Sequence, residues 1–307
     1  MDKKMLPLVS IITVNFNQAE VTCLMLDSLK KLTYPYIEVI VVDNGSDEDP
    51  SEKIQKTFPS AKIIISKQNL GFAGGNNLGI VVSKGDYLFF VNNDTVLTSD
   101  VIGNLLDSFQ AHKKLGVASP KIYYYDQPQM IQFAGYTKIN PCTARNSTIG
   151  QFETDHGQHD QPRSTPYAHG AAMMVKREVI EKAGLMPEFF FLYYEELDWC
   201  EQIRRAGFEI HYEPKAKIYH KESVSVGRLS PLKTYYLTRN RILFMRRNAS
   251  KLHLMLFSVF LAFVTIPKNL FMHCIRGEFS LARSFIQGVL WNLTHKNPDK
   301  VSLSIKT

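Results

Sequence analysis

The stretch YLFFVNNDT, from Tyr87 to Thr95, constrains the fold more than any other part of the chain. Its first five residues are apolar and predict a fully buried strand, which ends abruptly at the polar residues Asn92, Asn93 and Asp94. Such a strand delivers amides and a carboxylate to the carboxyl edge of a parallel sheet, where open α/β sheets bind ligands. On this stretch alone, Asp94 is equally well explained as a helix cap, since Asp is a common N-cap residue.

The segments around this stretch repeat a pattern of strand followed by helix. Apolar runs rich in β-branched residues predict three more strands, at 8–15, 37–42 and 63–65. Apolar residues at helical spacing predict a helix over 19–32, and a further helical stretch ends at Val82. This alternation predicts an α/β fold with a doubly wound, mostly parallel sheet.

Polar side chains follow three of the predicted strands, at Asn15, at Asp43 and at 92–94. Because the ends of parallel strands share one edge, we expect these groups to converge. Asp43 either accepts a hydrogen bond from a pyrimidine or a ribose, or forms a turn beside Gly45. The glycine-containing segment 69–77 lets the backbone approach a phosphate at a helix N-terminus, although it does not match G-x-G-x-x-G. Together these signals predict a nucleotide site.

The middle of the chain, residues 124–167, is polar and interrupted by Gly and Pro. Such a composition predicts an adaptable substrate loop. His156 and His159 lie in this segment, but no acidic or Cys partner stands out beside them, which disfavours a metal site there.

A second informative stretch, FFFLYYEELDW, covers residues 189–199. Glu195, Glu196 and Asp198 follow its aromatic part. On a helix that begins near Glu195, acidic residues are favoured by the helix dipole, which is the plain explanation. Burial of a carboxylate beside aromatic rings also disfavours its charged form, which suits a general base. Farther on, His220 follows a predicted strand and is by itself either a core histidine or a ligand.

Charge and hydropathy distinguish the C-terminal part of the chain. Residues 1–226 hold 23 Lys and Arg against 27 Asp and Glu, whereas residues 227–307 hold 13 against two. The apolar run 252–267 is shorter than the roughly 20 residues that span a bilayer, and Pro267 and Lys268 are expected to interrupt any extension. The basic flanks predict a helix on an anionic membrane surface rather than a nucleic-acid site, with a buried core helix as the alternative.

The cysteines and the N-terminus indicate the compartment. The four cysteines are scattered without a CxxC pair, which argues against a disulfide framework or a structural zinc site and fits a reducing environment. The first residues lack the apolar core of a signal peptide. We therefore expect a cytoplasmic protein on the inner face of the cell membrane.

In order along the chain, these motifs resemble those of glycosyltransferase family 2, particularly its rhamnosyltransferase-like members. The resemblance covers about residues 8–226 and rests on SIITVNFN, VVDNGSxD, NLGFAGGNN, VNNDT, HGAAMMV, YEELDWC and IYHKES. It implies a GT-A fold with a Rossmann-like nucleotide-binding half and an acceptor half. It also implies transfer from a sugar nucleotide with inversion, assisted by a divalent metal.

The resemblance implies roles for individual residues. Asp43 would bind the base, Asp94 and His220 the Mg²⁺ or Mn²⁺ on the diphosphate, and Glu196 would be the catalytic base. Two positions depart from the family pattern, because Asn92 and Glu196 stand where Asp is usual. Asp198 is included with the catalytic residues. The expected donor-binding residues are Thr13, Asn15, Asp43, Asn69, Gly71, Asn76, Asn92 and Asn93.

We therefore expect a GT-A domain over 1–246, with a donor half of about 1–122 and an acceptor half of about 123–246, and a membrane-associated helical tail over 247–307. The expected activity is inverting transfer of a hexose or deoxyhexose, such as rhamnose, from a nucleotide-diphosphate sugar. The acceptor would be a saccharide, either free or lipid-linked, in cell-surface polysaccharide assembly. The alternatives are a sugar-nucleotide-binding module without turnover and a nucleotidyltransferase.

Overall fold

The computed structural model describes residues 6–221 and 230–295. Parts of three expectations lie outside the described residues: the N-terminal residues 1–5, the Glu-Ser end of the IYHKES motif with residues up to 226, and the tail beyond 295.

Four parallel strands form the N-terminal half of the sheet, as predicted. Their order is β3-β2-β1-β4, and their bounds are β1 (Val9–Asn15), β2 (Ile37–Asp43), β3 (Lys62–Ile65) and β4 (Tyr87–Val91). The connecting helices are α1 (Ala19–Leu29), α2 (Ser51–Thr57) and α3 (Gly71–Val82). The strand interiors are buried because apolar side chains leave both faces of the sheet, with Phe89 in one core cluster and Phe90 in the other.

The sheet continues beyond β4 with strands of mixed direction, in the order β4-β9-β6-β10-β5. The remaining strands are β5 (Thr95–Leu97), β6 (Leu115–Tyr124), β7 (Gln127–Phe133), β8 (Arg163–Ser164), β9 (Ala172–Lys176) and β10 (Glu209–His220). The helices of this half are α4 (Val101–Ala111), α5 (Arg177–Ala183), α6 (Glu195–Arg205) and α7 (Pro231–Asn248). Strand β9 is antiparallel to both of its neighbours, whereas β6 and β10 are parallel.

The segment 124–167 is anchored more firmly than its composition predicts. Strand β7 pairs with β6, and β8 pairs with β10. The fully buried Lys121 forms ion pairs with Asp155 (2.8 Å) and Asp160 (2.6 Å), which hold the segment against β6. The first residues of β7 are exposed, so the strand lacks the alternating pattern by which a sequence reveals one.

The C-terminal tail contains one long helix that passes through Pro267. Its parts are α8 (Lys251–Phe260), a π-helical turn (Leu261–Thr265) and α9 (Ile266–Ile275). Together they make 25 residues with a mean hydropathy of 1.8, long and apolar enough to cross a membrane by length and composition. The expected interruption at Pro267 and Lys268 was wrong. Proline clashes with the carbonyl four residues earlier in a regular helix, and here that carbonyl belongs to the wider π-turn.

The last helix, α10 (Phe279–Thr294), returns and packs along α7. At the crossing, a Cβ on Gly288 would come within 2.8 Å of the carbonyl oxygen of Tyr235. Asn292 Nδ2 donates to the carbonyl oxygen of Arg239 at 2.9 Å, and Arg246 Nη1 donates to the carbonyl oxygen of Asn292 at 3.0 Å. The end of the tail is therefore joined to the α/β part of the molecule by close packing.

Candidate active site

A cavity of about 300 Å³ lies at the carboxyl edge of the sheet, and we call it the acidic cavity. The end of β4 contributes Asn92 and Asp94, the end of β10 contributes His220, and the start of α6 contributes Glu195 and Glu196. These strand ends converge because they share one edge of the sheet. Asn15 and Asp43, which were expected to join 92–94, do not line this cavity. The remaining wall is formed by Phe72, Gln132, Tyr136, His169, Gly170, Ala171, Leu192, Tyr193 and Lys233.

A second cavity of about 260 Å³, the glycine-side cavity, adjoins the first and shares Asn92 and Asp94 with it. Its wall includes most of the residues predicted to bind a donor, namely Asn69, Gly71, Asn76, Asn92 and Asn93. Asn15 lies elsewhere, in a larger surface cleft of about 660 Å³ that Ser46 and Gln18 also line. The predicted donor residues thus occupy neighbouring but separate parts of the edge.

Asp94 and His220 face each other in the acidic cavity. His220 Nε2 lies 3.1 Å from Asp94 Oδ1, at the distance of an ion pair when the imidazole is protonated. Within residues 6–221 and 230–295 that buried oxygen has no hydrogen-bond partner. His220 Nδ1 lies 2.8 Å from Gln132 Oε1, and in the neutral imidazole a hydrogen bond donated there puts the ring's lone pair on Nε2. A carboxylate oxygen and an imidazole lone pair side by side are typical ligands of a divalent cation, and the hydrogen bond from the second ring nitrogen orients the ligand.

The donor set around Asp94 is small. Over the ranges 6–221 and 230–295, no group of three or more His, Cys, Asp or Glu side chains is placed to hold a metal ion. Mg²⁺ and Mn²⁺ accept one or two protein ligands when phosphate oxygens and water complete the shell. The Asp94–His220 pair therefore fits a cation that arrives with a phosphorylated ligand.

Burial perturbs the two glutamates at the start of α6. It raises the pKa of Glu196 to about 7, since desolvation disfavours the carboxylate. The pKa of Glu195 is raised well above its usual range by burial and then by the neighbouring Glu196. Among the residues that the structure describes, none forms a hydrogen bond with its Oε2. A carboxyl group that ionises near neutral pH at the wall of a cavity is suited to general-base catalysis.

Gly71 is required by a close approach of two backbone segments. Its φ is +73°, and a Cβ there would lie 2.2 Å from the carbonyl oxygen of Phe191. That oxygen accepts a hydrogen bond from the N–H of Phe72 at 2.9 Å. Because the N–H groups of Leu70 and Gly71 also donate to side chains, the predicted phosphate contact by this backbone is not supported. The glycines here serve packing instead.

Asp43 belongs to a network that orders the ends of β1 and β2. Asn15 lies opposite Asp43 in the sheet and donates to its Oδ1 at 2.7 Å. The hydroxyl of Ser46 donates to the same oxygen at 2.6 Å, and Thr22 Oγ1 donates to Asn15 Oδ1 at 2.7 Å. Thr13 is fully buried, and it lines neither the cleft nor either of the two cavities, so the donor-binding role expected for it is not supported.

Asp198 does not join the acidic cavity, and its catalytic assignment is corrected here. Two residues along a helix turn a side chain by about 200°, so Asp198 points away from the direction of Glu196. Its fully buried carboxylate pairs with Arg247 Nε at 3.1 Å and accepts hydrogen bonds from Asn248 Nδ2 at 2.6 Å and Gln202 Nε2 at 2.8 Å. The saturated carboxylate ties α6 to α7.

The sequence interpretation missed several residues of the acidic cavity. His169 lies there with its Nδ1 accepting from the N–H of Ala171 at 3.1 Å, and burial lowers its pKa to about 3. Its position as the first residue of the HGAAMMV motif was a usable signal. Gln132 and Lys233 carried no such signal, because each reaches the cavity only through the tertiary fold.

Residues 10–184 match the profile of Glycosyl transferase family 2. The chain belongs to glycosyltransferase family 2. This confirms the resemblance read from the motifs and identifies the chain as a glycosyltransferase. The two adjoining cavities lie at the sheet edge where this resemblance places the site.

Three curated relatives have names in the same chemical class. The low-salt glycan biosynthesis hexosyltransferase Agl10 of Haloferax volcanii is 27% identical over 247 residues, 78% of this chain and 76% of the relative. The N-acetylglucosaminyl-diphospho-decaprenol L-rhamnosyltransferase of Mycobacterium tuberculosis is 23% identical, over 66% of this chain and 72% of its own. The dTDP-rhamnosyl transferase RfbF of Shigella flexneri is 26% identical, over 68% of this chain and 71% of its own.

Two solved structures show the fold. The mannosyltransferase PcManGT of Pyrobaculum calidifontis, in complex with GDP-Man and Mn²⁺, superposes with a TM-score of 0.60 at 15% identity, over 96% of this chain and 89% of its own. GalNAc-T7 with UDP, GalNAc and Mn²⁺ superposes with a TM-score of 0.60 at 16% identity, over 77% of this chain and 48% of its own. The glycosyltransferase has the GT-A fold, as the motifs predicted.

Proposed function

We propose that this glycosyltransferase transfers a hexose or deoxyhexose, such as rhamnose, from a nucleotide-diphosphate sugar to a saccharide acceptor with inversion at the anomeric carbon. One observation carries the proposal. The acidic cavity brings together the Asp94–His220 pair and Glu196, whose carboxyl group has a raised pKa, and it adjoins the glycine-side cavity. The names of the rhamnosyltransferase relatives support a deoxyhexose donor.

In this proposal the sugar nucleotide lies along the glycine-side cavity, with its diphosphate toward Asp94. Asp94 and His220 would hold a Mg²⁺ or Mn²⁺ ion that neutralises the charge of the departing diphosphate. Both solved neighbours contain Mn²⁺, which supports a divalent metal. Asn92 provides an amide where a second acidic ligand would otherwise stand.

The acceptor occupies the acidic cavity, where Glu196 takes the proton from its hydroxyl group. The hydroxyl oxygen forms the new glycosidic bond as the bond from the anomeric carbon to the diphosphate breaks. A single displacement from the opposite face inverts the anomeric configuration. Glu196 suits this role because its pKa near 7 allows it to hold the proton transiently at neutral pH.

We further propose that the protein works as a peripheral protein on the cytoplasmic membrane face, on an acceptor that is lipid-linked. Exposed apolar residues recur every three or four positions along the long tail helix, at Leu252, Leu256, Val259 and Phe263. An apolar stripe with basic residues at its ends is typical of a helix that lies in the membrane interface. The Mycobacterium tuberculosis relative is named for a diphospho-decaprenol acceptor, which supports a lipid-linked saccharide.

A donor screen tests the proposal. UDP-, dTDP- and GDP-sugars are incubated with Mn²⁺ and with EDTA, and the released nucleoside diphosphate is measured with and without saccharide acceptors. We expect one donor class to react, only with metal, and NMR of the product to show inversion. A product with retained configuration, or reaction that is equally fast in EDTA, contradicts the proposed mechanism. Donor binding without transfer or hydrolysis indicates a binding module instead.

A further inference from the structure

The loop that leads into α6 has a backbone that its own residues disfavour. Phe191, Tyr193 and Tyr194 have φ values of +65°, +68° and +75°, in the left-handed region that residues other than glycine rarely adopt. Such a conformation persists only when the surrounding structure enforces it, and it occurs mostly at functional sites. The loop ends where α6 begins, at Glu195, so its conformation determines where Glu196 lies.

Asn240, on α7, holds this loop by its main chain. Its fully buried Nδ2 donates to the carbonyl oxygens of Phe190 at 3.0 Å, Leu192 at 2.7 Å and Tyr193 at 2.8 Å. An amide has two N–H groups, so the three carbonyls share them. A buried amide whose donors are committed to one loop fixes the loop rather than its own helix.

Arg239 holds the start of the same loop. Its Nη2 donates to the carbonyl oxygens of Phe189 at 2.7 Å and Phe190 at 2.6 Å, and its Nε donates to Asn240 Oδ1 at 2.7 Å. The side chain is 5% exposed, so these contacts form away from bulk water. The two adjacent residues therefore bind four of the loop's carbonyl groups between them.

The loop forms part of both cavities. Phe191 and Leu192 line the glycine-side cavity, and Leu192 and Tyr193 line the acidic cavity. If the loop relaxed, water would reach the buried start of α6 and Glu196 would move relative to Asp94. The hydrogen bonds from α7 prevent this.

We propose that Arg239 and Asn240 are positioning residues that hold the 189–194 loop in its strained conformation and so place Glu196 for proton transfer. The proposal rests on the proposed function of Glu196 as the base. It assigns a role in turnover to two residues of α7 that line neither cavity, whereas the first turn of the same helix contributes Leu232 and Lys233 to the cavity walls.

The tail supports this pair from behind. Asn292 of α10 donates to the carbonyl oxygen of Arg239 at 2.9 Å, and the guanidinium of Arg239 lies 4.7 Å from the ring centre of Trp291. Helix α10, on which Phe279 and Leu293 are exposed, thus packs against Arg239, one of the two residues that hold the loop.

The test compares Asn240→Ala and Arg239→Lys with Asn269→Ala. Asn269 is a matched control, since its Nδ2 donates to one main-chain carbonyl, that of Thr265, in the long tail helix. We expect kcat to fall about 10²-fold in the first two variants, the loss typical of a misplacement of about 1 Å. Hydrogen exchange should accelerate in peptides that cover the loop, and Asn269→Ala should match the wild type in both measurements.

The pH dependence of kcat separates positioning from simple destabilisation. Water admitted by a loosened loop should move the pKa of Glu196 down toward its ordinary 4.5, so the acid limb of the profile should shift to lower pH. The other titratable groups that line the acidic cavity are Asp94, Tyr136, His169, Tyr193, Glu195, His220 and Lys233. Of these, Tyr193 lies in the loop and Glu195 directly precedes Glu196 on α6, so a loosened loop affects them together with Glu196.

The proposal is overturned if the variants lose kcat only in proportion to their unfolded fraction, with the acid limb and loop exchange unchanged. Should Asn240→Ala fail to fold, Arg239→Lys decides, because it keeps the charge and shortens the reach to the two carbonyls. Failure of the proposed function is distinct. In that case the wild type transfers no sugar and Glu196→Gln changes nothing, while loop exchange still decides whether these residues hold the loop.

Discussion

Asp198→Asn tests whether Asp198 is a structural carboxylate, in contrast to the proposed catalytic base Glu196 two residues away. The carboxylate of Asp198 is fully buried and pairs with Arg247, whose side chain is 16% exposed. It also accepts from Asn248 and Gln202. The substitution keeps the size of the side chain and removes the charge that joins α6 to α7.

The expected cost follows from that burial. Breaking a buried, hydrogen-bonded ion pair costs about 3–5 kcal/mol. At about 2–4 °C per kcal/mol for chains of 150–250 residues, the melting temperature should fall by about 6–20 °C. Turnover per folded molecule should change little well below that temperature, because Asp198 faces away from the acidic cavity.

Calorimetry and steady-state kinetics on the same preparation check this prediction, with Glu196→Gln as the comparison. Glu196→Gln should lower turnover by roughly 10²–10⁴-fold, the usual contribution of a general base. It should not lower stability, since it removes a carboxylate whose charge is disfavoured by burial. A normal melting temperature with lost turnover in Asp198→Asn would refute the reasoning and return Asp198 to the chemistry.

Four further results are expected. Turnover should rise with pH to a plateau above about pH 7, as Glu196 ionises, and a kcat profile that is flat between pH 5 and 8 contradicts this expectation. The stabilisation that comes from the raised pKa of Glu196 should be lost over the same range, as pH rises from 4.5 to about 7. Asp94→Asn should abolish Mn²⁺-dependent donor binding in calorimetry, and unchanged binding rules Asp94 out as a ligand. Gly71→Ala should lower both melting temperature and activity because of the 2.2 Å contact, while Gly103→Ala, with no neighbour within 4 Å, should not. Phe263→Ser, at a side chain that is 77% exposed, should weaken flotation with anionic liposomes; equal flotation would place the membrane contact elsewhere.

The sequence predicted the sheet edge well because strand ends in a parallel sheet converge whatever their separation along the chain. Asn92, Asp94 and His220 lie together for this reason, although His220 follows Asp94 by more than a hundred residues. The same logic placed Asn15 opposite Asp43.

The acidic cluster could not be sorted from the sequence. Glu196 and Asp198 differ in role because α6 begins at Glu195 and turns them to different sides. The structural role of Asp198 follows from its ion pair with Arg247, which lies far along the chain, so no local sequence pattern predicts it. Likewise Pro267 predicts a break, whereas the π-turn before it accommodates the ring.

The close packing of Gly288 against α7 limits how far the chain can be shortened in protein engineering. A protein cut after residue 246 would lose Arg247, the partner of Asp198, and the hydrogen bond from Asn292 to the carbonyl oxygen of Arg239, so a shortened chain is expected to be less stable and a poorer catalyst. Soluble material is better sought by exchanging exposed side chains such as Phe271, which is 67% exposed, for hydrophilic ones. Such substitutions leave α10 in place and remove only exposed apolar surface.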